Sequence, residues 1–244
     1  MWLTAFLDHP RAVAAAAESF WAAATATTPS PDRGEDAEFA TLLPGDGDAH
    51  LRVQRLAAGP AGVHLDLHDA EPRALADRAV TLGATEVADL GHVVLRSPGG
   101  LAHCAVPAGE TRRSAPVAVD GGPASLVDQV CLDVPPRLLD AELAYWCRLL
   151  EREPVTSSAS TFLPLARHDD EPLRLMLQRL DADEPAVRAH LDLACDDRPA
   201  EVARLVALGA REVGGGPRWT TLVDPAGRAF CVTDRDPRTG RRPT

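Results

Sequence analysis

The 244-residue chain contains no lysine, no asparagine and no isoleucine, so all 25 of its basic side chains are arginine. Without lysine there is no Schiff-base or pyridoxal-phosphate chemistry, no P-loop lysine and no kinase-type phosphate clamp. The three missing residue types share A/T-rich codons, so a GC-rich gene explains their absence, and the abundance of alanine and arginine, without invoking selection. The five cysteines are odd in number and form no CxxC pair, which points to reduced thiols and away from a disulfide framework. Basic charge is in deficit: the formal net charge is -11, and a nucleic-acid partner needs a concentrated basic face. No apolar run reaches the roughly 20 residues of a bilayer span. The nearest, residues 12–26, is interrupted by Glu18 and Ser19, and Asp8-His9-Pro10 stands where a secretory signal would carry basic residues. These absences lead to the expectation of a cytoplasmic protein with neither nucleic acid nor membrane as a partner.

What is present is a repeat. Leu7-Asp8-x-Pro10 and Phe20-Trp21 recur as Leu132-Asp133-x-Pro135 and Tyr145-Trp146, a shift of 125. His64-Leu65-Asp66-Leu67 recurs as His190-Leu191-Asp192-Leu193, and Leu82-Gly83-Ala84 as Leu208-Gly209-Ala210, a shift of 126. Pro98-x-Gly100 with Cys104 matches Pro225-x-Gly227 with Cys231, now at 127. Two short insertions account for the drift. The expected organisation is an N-terminal domain over residues 1–108, a linker over 109–125, a C-terminal domain over 126–236 and a loose tail over 237–244. The linker signal is Pro107, Pro116 and Pro123 with Gly109, Gly121 and Gly122.

Each half repeats again, more weakly. Four Asp/Pro pairs, Asp8/Pro10, Asp69/Pro72, Asp133/Pro135 and Asp196/Pro199, mark helix starts, because Asp accepts from orphan N–H groups and Pro loses no intrahelical bond in the first turn. Apolar residues at helical spacing follow, such as Leu139, Leu143, Trp146 and Leu150. Gly83 and Gly209 end two of the helices. Strand-like segments come next, at 38–43 and 51–56, 92–96 and 101–106, 161–165 and 173–180, and 219–223 and 229–233. Each quarter reads as one strand, one helix and two or three strands.

Four such units in two pairs resemble the βαβββ modules of the vicinal-oxygen-chelate superfamily, which includes the glyoxalases and bleomycin-resistance proteins. The likeness extends over nearly the whole chain, with Trp219-x-x-Leu-Val-Asp224-Pro-x-Gly227 leading into a Phe230-Cys231-Val232 strand as its most specific stretch. It implies an α+β fold of two tandem glyoxalase-like domains, each pair of modules cupping a sheet around a small-molecule cavity. In metal-dependent members His and Glu at strand starts and ends hold the ion. The matching positions here are Gln129, Gln178, His190 and Cys231 in the second half and Thr4, Gln54, His64 and Cys104 in the first, and only the histidines are usual ligands. The expectation is therefore no metal and no cofactor.

Strand alternation places His64 with Asp66, and His190 with Asp192, on one face, with the leucines on the other. These pairs read as the floor of a cavity, although a core histidine satisfied by its neighbouring Asp would give the same pattern. Cys104 and Cys231, flanked by apolar residues, read as small core hydrophobes before they read as nucleophiles. Trp21 and Trp146 read as core, Trp219 as core or cavity wall, and Asp169-Asp170 and Asp196-Asp197 as solvated turns. The cavity candidates are Gln129, Gln178, His190, Asp192, Trp219 and Cys231, with Gln54, His64, Asp66 and Cys104 in the first half. The expected partner is a small organic molecule; homodimerisation stays open. Two functions fit, a metal-free binding protein or a lyase, isomerase or dioxygenase with a diverged site.

Overall fold

In a computed structural model of the protein, residues 1–110, 112–155 and 160–242 are described. The first half runs β1 (Trp2–Pro10), α1 (Arg11–Thr25), β2 (Thr28–Pro29), β3 (Phe39–Leu43), β4 (Leu51–Leu56), β5 (Gly62–Asp69), α2 (Pro72–Thr81), β6 (Thr85–Asp89), β7 (Val93–Arg96) and β8 (Ala102–Pro107). After β9 (Val117–Ala118), the second half repeats the order with β10 (Ala124–Val134), a 3-10 turn (Pro136–Leu138), α3 (Leu139–Leu150), β11 (Phe162–Pro164), β12 (Arg174–Arg179), β13 (Arg188–Cys195), α4 (Arg198–Ala207), β14 (Arg211–Gly216), β15 (Trp219–Val223) and β16 (Ala229–Thr233).

The strands form two mixed sheets, in the order β2-β3-β4-β1-β5-β8-β7-β6 and β11-β12-β10-β13-β16-β15-β14, with β9 beside β10. This is the tandem βαβββ architecture. At the heart of each sheet a parallel pair sets the same register, Asp66 opposite Cys104 in β5/β8 and Asp192 opposite Cys231 in β13/β16.

The Asp/Pro pairs do precede the helices, but capping by an Asp side chain is seen at α4 alone among the four helices. There the cap is Asp197, one residue beyond the expected Asp196, and its carboxylate accepts from the Ala200 N–H. At α2, Asp69 accepts from the N–H of Glu71, ahead of the helix. Glycines Gly83 and Gly209 follow α2 and α4 with φ of 108° and 112°, as their role as stops requires. Strands β6 and β14 are additional to the expected segments; both are exposed sheet edges and carry no alternating apolar pattern.

Contacts gather the chain into two compact units, and each draws on both repeats: residues 1–5, 63–111 and 130–189 form one, residues 6–62, 112–129 and 190–244 the other. In the first, Trp146 is fully buried and its indole N–H donates to Glu142, whose other oxygen accepts from the Gly99 N–H; the Tyr145 hydroxyl lies 2.7 Å from His103 Nε2. In the second, Trp21 is fully buried against Phe20 and Phe230, and its indole N–H donates to Asp224 at 2.8 Å. Asp224 also accepts from the backbone of Ala226 and Arg228 and pairs with the Arg228 guanidinium at 2.6 Å. Burial alone would raise its pKa; the Arg228 charge and these bonds outweigh burial and hold it below the carboxylate range. The Asp-Pro-x-Gly turn is thus both a turn and the anchor of the helix beneath it.

Candidate functional site

In the second compact unit, β13 carries His190 and Asp192 on one face, and β16 sets Cys231 beside Asp192. A nitrogen of His190, an oxygen of Asp192 and the Cys231 thiol all lie within 4.8 Å of one another. Asp192 is 3% exposed and its two oxygens differ: the Gln129 amide donates to Oδ2 and Arg235 Nη1 is 3.7 Å from it, while Oδ1, 3.4 Å from His190 Nε2, accepts no hydrogen bond among the described residues. Burial would push the Asp192 pKa up; the bonds and charges of His190, Arg235 and Gln129 outweigh it, and the group stays ionised. Arg235 also donates to Asp128, a second buried carboxylate, through Nε at 3.3 Å and through Nη2. One guanidinium therefore serves two buried acids.

Trp219 shares this face of the sheet by alternation, since Thr221 two residues on pairs with Cys231 and has its hydroxyl 3.6 Å from the thiol. The indole folds over Gly216 across the β14/β15 hairpin, where a Cβ would lie 2.3 Å from the ring, and it is half-buried.

The first compact unit carries the equivalent trio. His64, Asp66 and Cys104 have ligand atoms within the same 4.8 Å. Beside them a chain of hydrogen bonds links Thr4 Oγ1 to His68 Nε2 at 2.9 Å, and His68 Nδ1 to Glu110 at 2.9 Å. Thr4 occupies the position that Gln129 fills in the second repeat. Gln178 accepts from the Cys131 thiol at 3.6 Å in the first unit, and Gln54 is half-buried on β4 in the second. Each of these two glutamines thus falls in the other unit from the trio of its own repeat.

Asp128, Arg235, His68 and Glu110 were not foreseen. Asp128 lies on the opposite alternation from Gln129, and Arg235 follows the last strand among the arginines of a polar C-terminal stretch, where nothing in the pattern separates it from Arg238 or Arg241. His68 does carry a signal, because it continues the His64, Asp66 alternation along β5.

A family model described as a glyoxalase-like domain matches residues 4–106 and again residues 129–233. The chain belongs to this glyoxalase-like family. Its fold is similar to that of the Mn(II)-bound glyoxalase from Novosphingobium aromaticivorans (16% identity, TM-score 0.61, 94% of this chain and 80% of that one). It also resembles a mutant 4-hydroxymandelate synthase from Streptomyces coelicolor (14%, TM-score 0.63, 99% and 93%). A xylose isomerase-like TIM barrel/4-hydroxyphenylpyruvate dioxygenase fusion protein matches at 15% and TM-score 0.61; 93% of this chain is covered, but the match spans only 48% of that protein. No curated protein matches the chain. Among the described residues no helix is long and apolar enough to cross a membrane.

Proposed function

We propose that this glyoxalase-like protein binds a small, partly apolar organic molecule over the polar floor made by Gln129, His190, Asp192 and Cys231, and that it does so without the family's metal ion. The observation that carries this reading is Arg235. A divalent ion on His190, Asp192 and Cys231 would have to use Oδ1 of a carboxylate whose Oδ2 is held by the Gln129 amide and whose charge is already offset by the Arg235 guanidinium 3.7 Å from Oδ2. Buried carboxylates need a compensating charge, and here a fixed internal cation supplies it. On this reading the charge of Asp192 is already met without an ion, and no reaction step is assigned to a metal. In the first repeat His64, Asp66 and Cys104 make the comparable floor, and the two halves are expected to differ in preference because Trp219 is replaced by His92.

A second reading, an enzyme of lyase, isomerase or dioxygenase type, is favoured by the compactness of the His64/Asp66/Cys104 and His190/Asp192/Cys231 trios. One experiment separates the two. The full chain, purified without chelator, is assayed for metal and then titrated with Zn2+ and Mn2+, beside Arg235→Met. The binding-protein reading expects far less than one ion per chain in the unaltered protein and a gain of affinity in the variant. About one ion per chain, lost in His190→Ala, would overturn it. Ligands are then sought by thermal shift with small aromatic and carbonyl compounds, where a compound at a hundred times its Kd stabilises by about 2.7 kcal/mol. Hits are repeated on His190→Ala and His64→Ala; shifts unchanged by both place the ligand elsewhere.

A further inference from the structure

Arg235 reaches Asp128 and Asp192 from beyond the last strand, so the place of its guanidinium depends on what holds the backbone that follows β16. On one side of it Asp234 pairs with Arg198 at 2.6 Å. On the other side the chain closes into a loop on Asp236. The Asp236 carboxylate accepts from the N–H groups of Arg238 and Thr239, both at 2.8 Å, its carbonyl accepts from the Gly240 N–H at 2.7 Å, and its own N–H donates to the Arg241 carbonyl at 2.8 Å. An Asp that satisfies the N–H groups two and three residues on fixes a turn with its side chain, and Gly240, with φ 69°, takes the left-handed position within it. Pro237 and Gly240 are buried, while Arg238 and Thr239 between them are exposed.

The carbonyls of Pro237 and Arg238 are taken by Arg113, a residue of the segment between the two repeats, which donates to them at 3.2 and 2.6 Å. Hydrogen bonds from a guanidinium are charge-assisted, and its planar fork sets their direction. The segment that carries Arg113 is itself fastened to the loop before β4. Arg112 and Asp48 exchange backbone and carboxylate hydrogen bonds at 2.7 and 2.8 Å, and the Ser114 hydroxyl donates to the Asp48 carbonyl at 3.1 Å. Gly47 permits the close approach: its φ is 80°, and a Cβ there would stand 2.5 Å from Ser114 Cα. Arg113 therefore grips the loop from a fixed base, and all of these residues belong to the second compact unit.

We propose that Arg113 and the 236–241 loop form a clasp that holds Arg235 against Asp128 and Asp192, which makes Arg113 and Asp236 positioning residues for the floor of the second repeat, acting through Arg235. The inference rests on the role given to Arg235 above. With the clasp closed, the guanidinium meets the charge of Asp192 and the floor refuses a divalent cation. With it open, Arg235 is released towards solvent, and the buried Asp192 carboxylate is left to whatever cation can replace it.

The test uses Zn2+ as a probe of how available the Asp192 carboxylate is. The full-length protein labelled with 15N-histidine is titrated with Zn2+, and the His190 resonances, identified by their loss in His190→Ala, report binding at this floor and not at that of the first repeat. Arg113→Met and Asp236→Ala open the clasp from its two sides, and each is expected to raise the affinity by about threefold or more, with a larger gain in Arg235→Met. The two substitutions change the net charge in opposite directions, so a gain common to both is no long-range charge effect. In the Arg235→Met background each should change the affinity by less than about twofold, because the residue they position is gone. A gain in Arg235→Met with none in the other two, or gains that persist undiminished in that background, would overturn the clasp and leave the role of Arg235 standing; no gain in Arg235→Met itself would overturn both. Asp236 lies outside the sheets, so its variant decides the matter even if Arg113→Met does not fold.

Discussion

Lowering the pH from 7.5 to 5.0 should strip this protein of a large part of its stability, through histidines that are buried neutral. Three rings have pKa values depressed chiefly by burial: His103 and His50 to about 4, and His9 to about 3. In the unfolded chain each titrates near 6.5. A folded pKa below the unfolded one means that the unfolded state binds more protons, so the stabilisation is complete above pH 6.5 and is lost as pH falls towards 4. With 1.36 kcal/mol per pKa unit, each ring costs about 2 kcal/mol by pH 5. The three together come to about 6 kcal/mol, comparable with the whole stability of an ordinary domain. Glu142 acts in the opposite direction, since burial raises its pKa and its protonation becomes easier as pH falls. His103 isolates the effect because its partners are known: Tyr145 at Nε2 and the Leu101 carbonyl at Nδ1. Urea unfolding followed by tryptophan fluorescence at the two pH values gives the drop for the unaltered protein and for His103→Gln. The variant is less stable at pH 7.5, but its drop between the two pH values should be smaller by about 2 kcal/mol. An equal drop in both would refute the argument that this ring is held neutral by burial.

Asp224→Ala should destabilise by about 3–5 kcal/mol in thermal or urea unfolding, because it leaves the buried Arg228 guanidinium without its carboxylate; a loss below about 1 kcal/mol would show that water reaches the arginine. Gly209→Ala should cost about 1 kcal/mol or more, since its φ of 112° is strained for any side chain, and a neutral result would mean that the α4 terminus rearranges. Trp219→Ala should change stability little, because the indole is half-buried on its own hairpin, while altering the thermal shifts given by ligands of the second repeat.

The fold was legible because duplication wrote it twice. Trp21/Trp146, His64/His190 and Cys104/Cys231 fix the register of one half on the other, and eight expected strand segments fall on β3, β4, β7, β8, β11, β12, β15 and β16 with ends displaced by at most two residues. Strands β6 and β14 were not legible, because an edge strand exposed on both faces needs no apolar alternation. For the site, alternation brought His190 to Asp192 and His64 to Asp66, and the repeat brought in the cysteines. Arg235 escaped because its role is set by reach: a long side chain beyond the last strand returns to Asp128 and Asp192, and no period in the sequence records that. The inter-repeat segment was expected from its prolines and glycines, but not its fastening to Asp48, which depends on the absent side chain of Gly47.

The way each compact unit is assembled has a consequence for heredity. Since residues 1–5 belong with 63–111 and 130–189, and residues 6–62 with 112–129 and 190–244, a gene cut between its two copies would give a product in which Trp21 lacks Asp224 and another in which Tyr145 lacks His103. Once the copies had come to depend on each other in this way, neither could be deleted, exchanged or inherited alone. A change confined to one floor leaves this shared frame intact, whereas a change at Trp21, Asp224, Tyr145 or His103 disturbs a unit built from both copies.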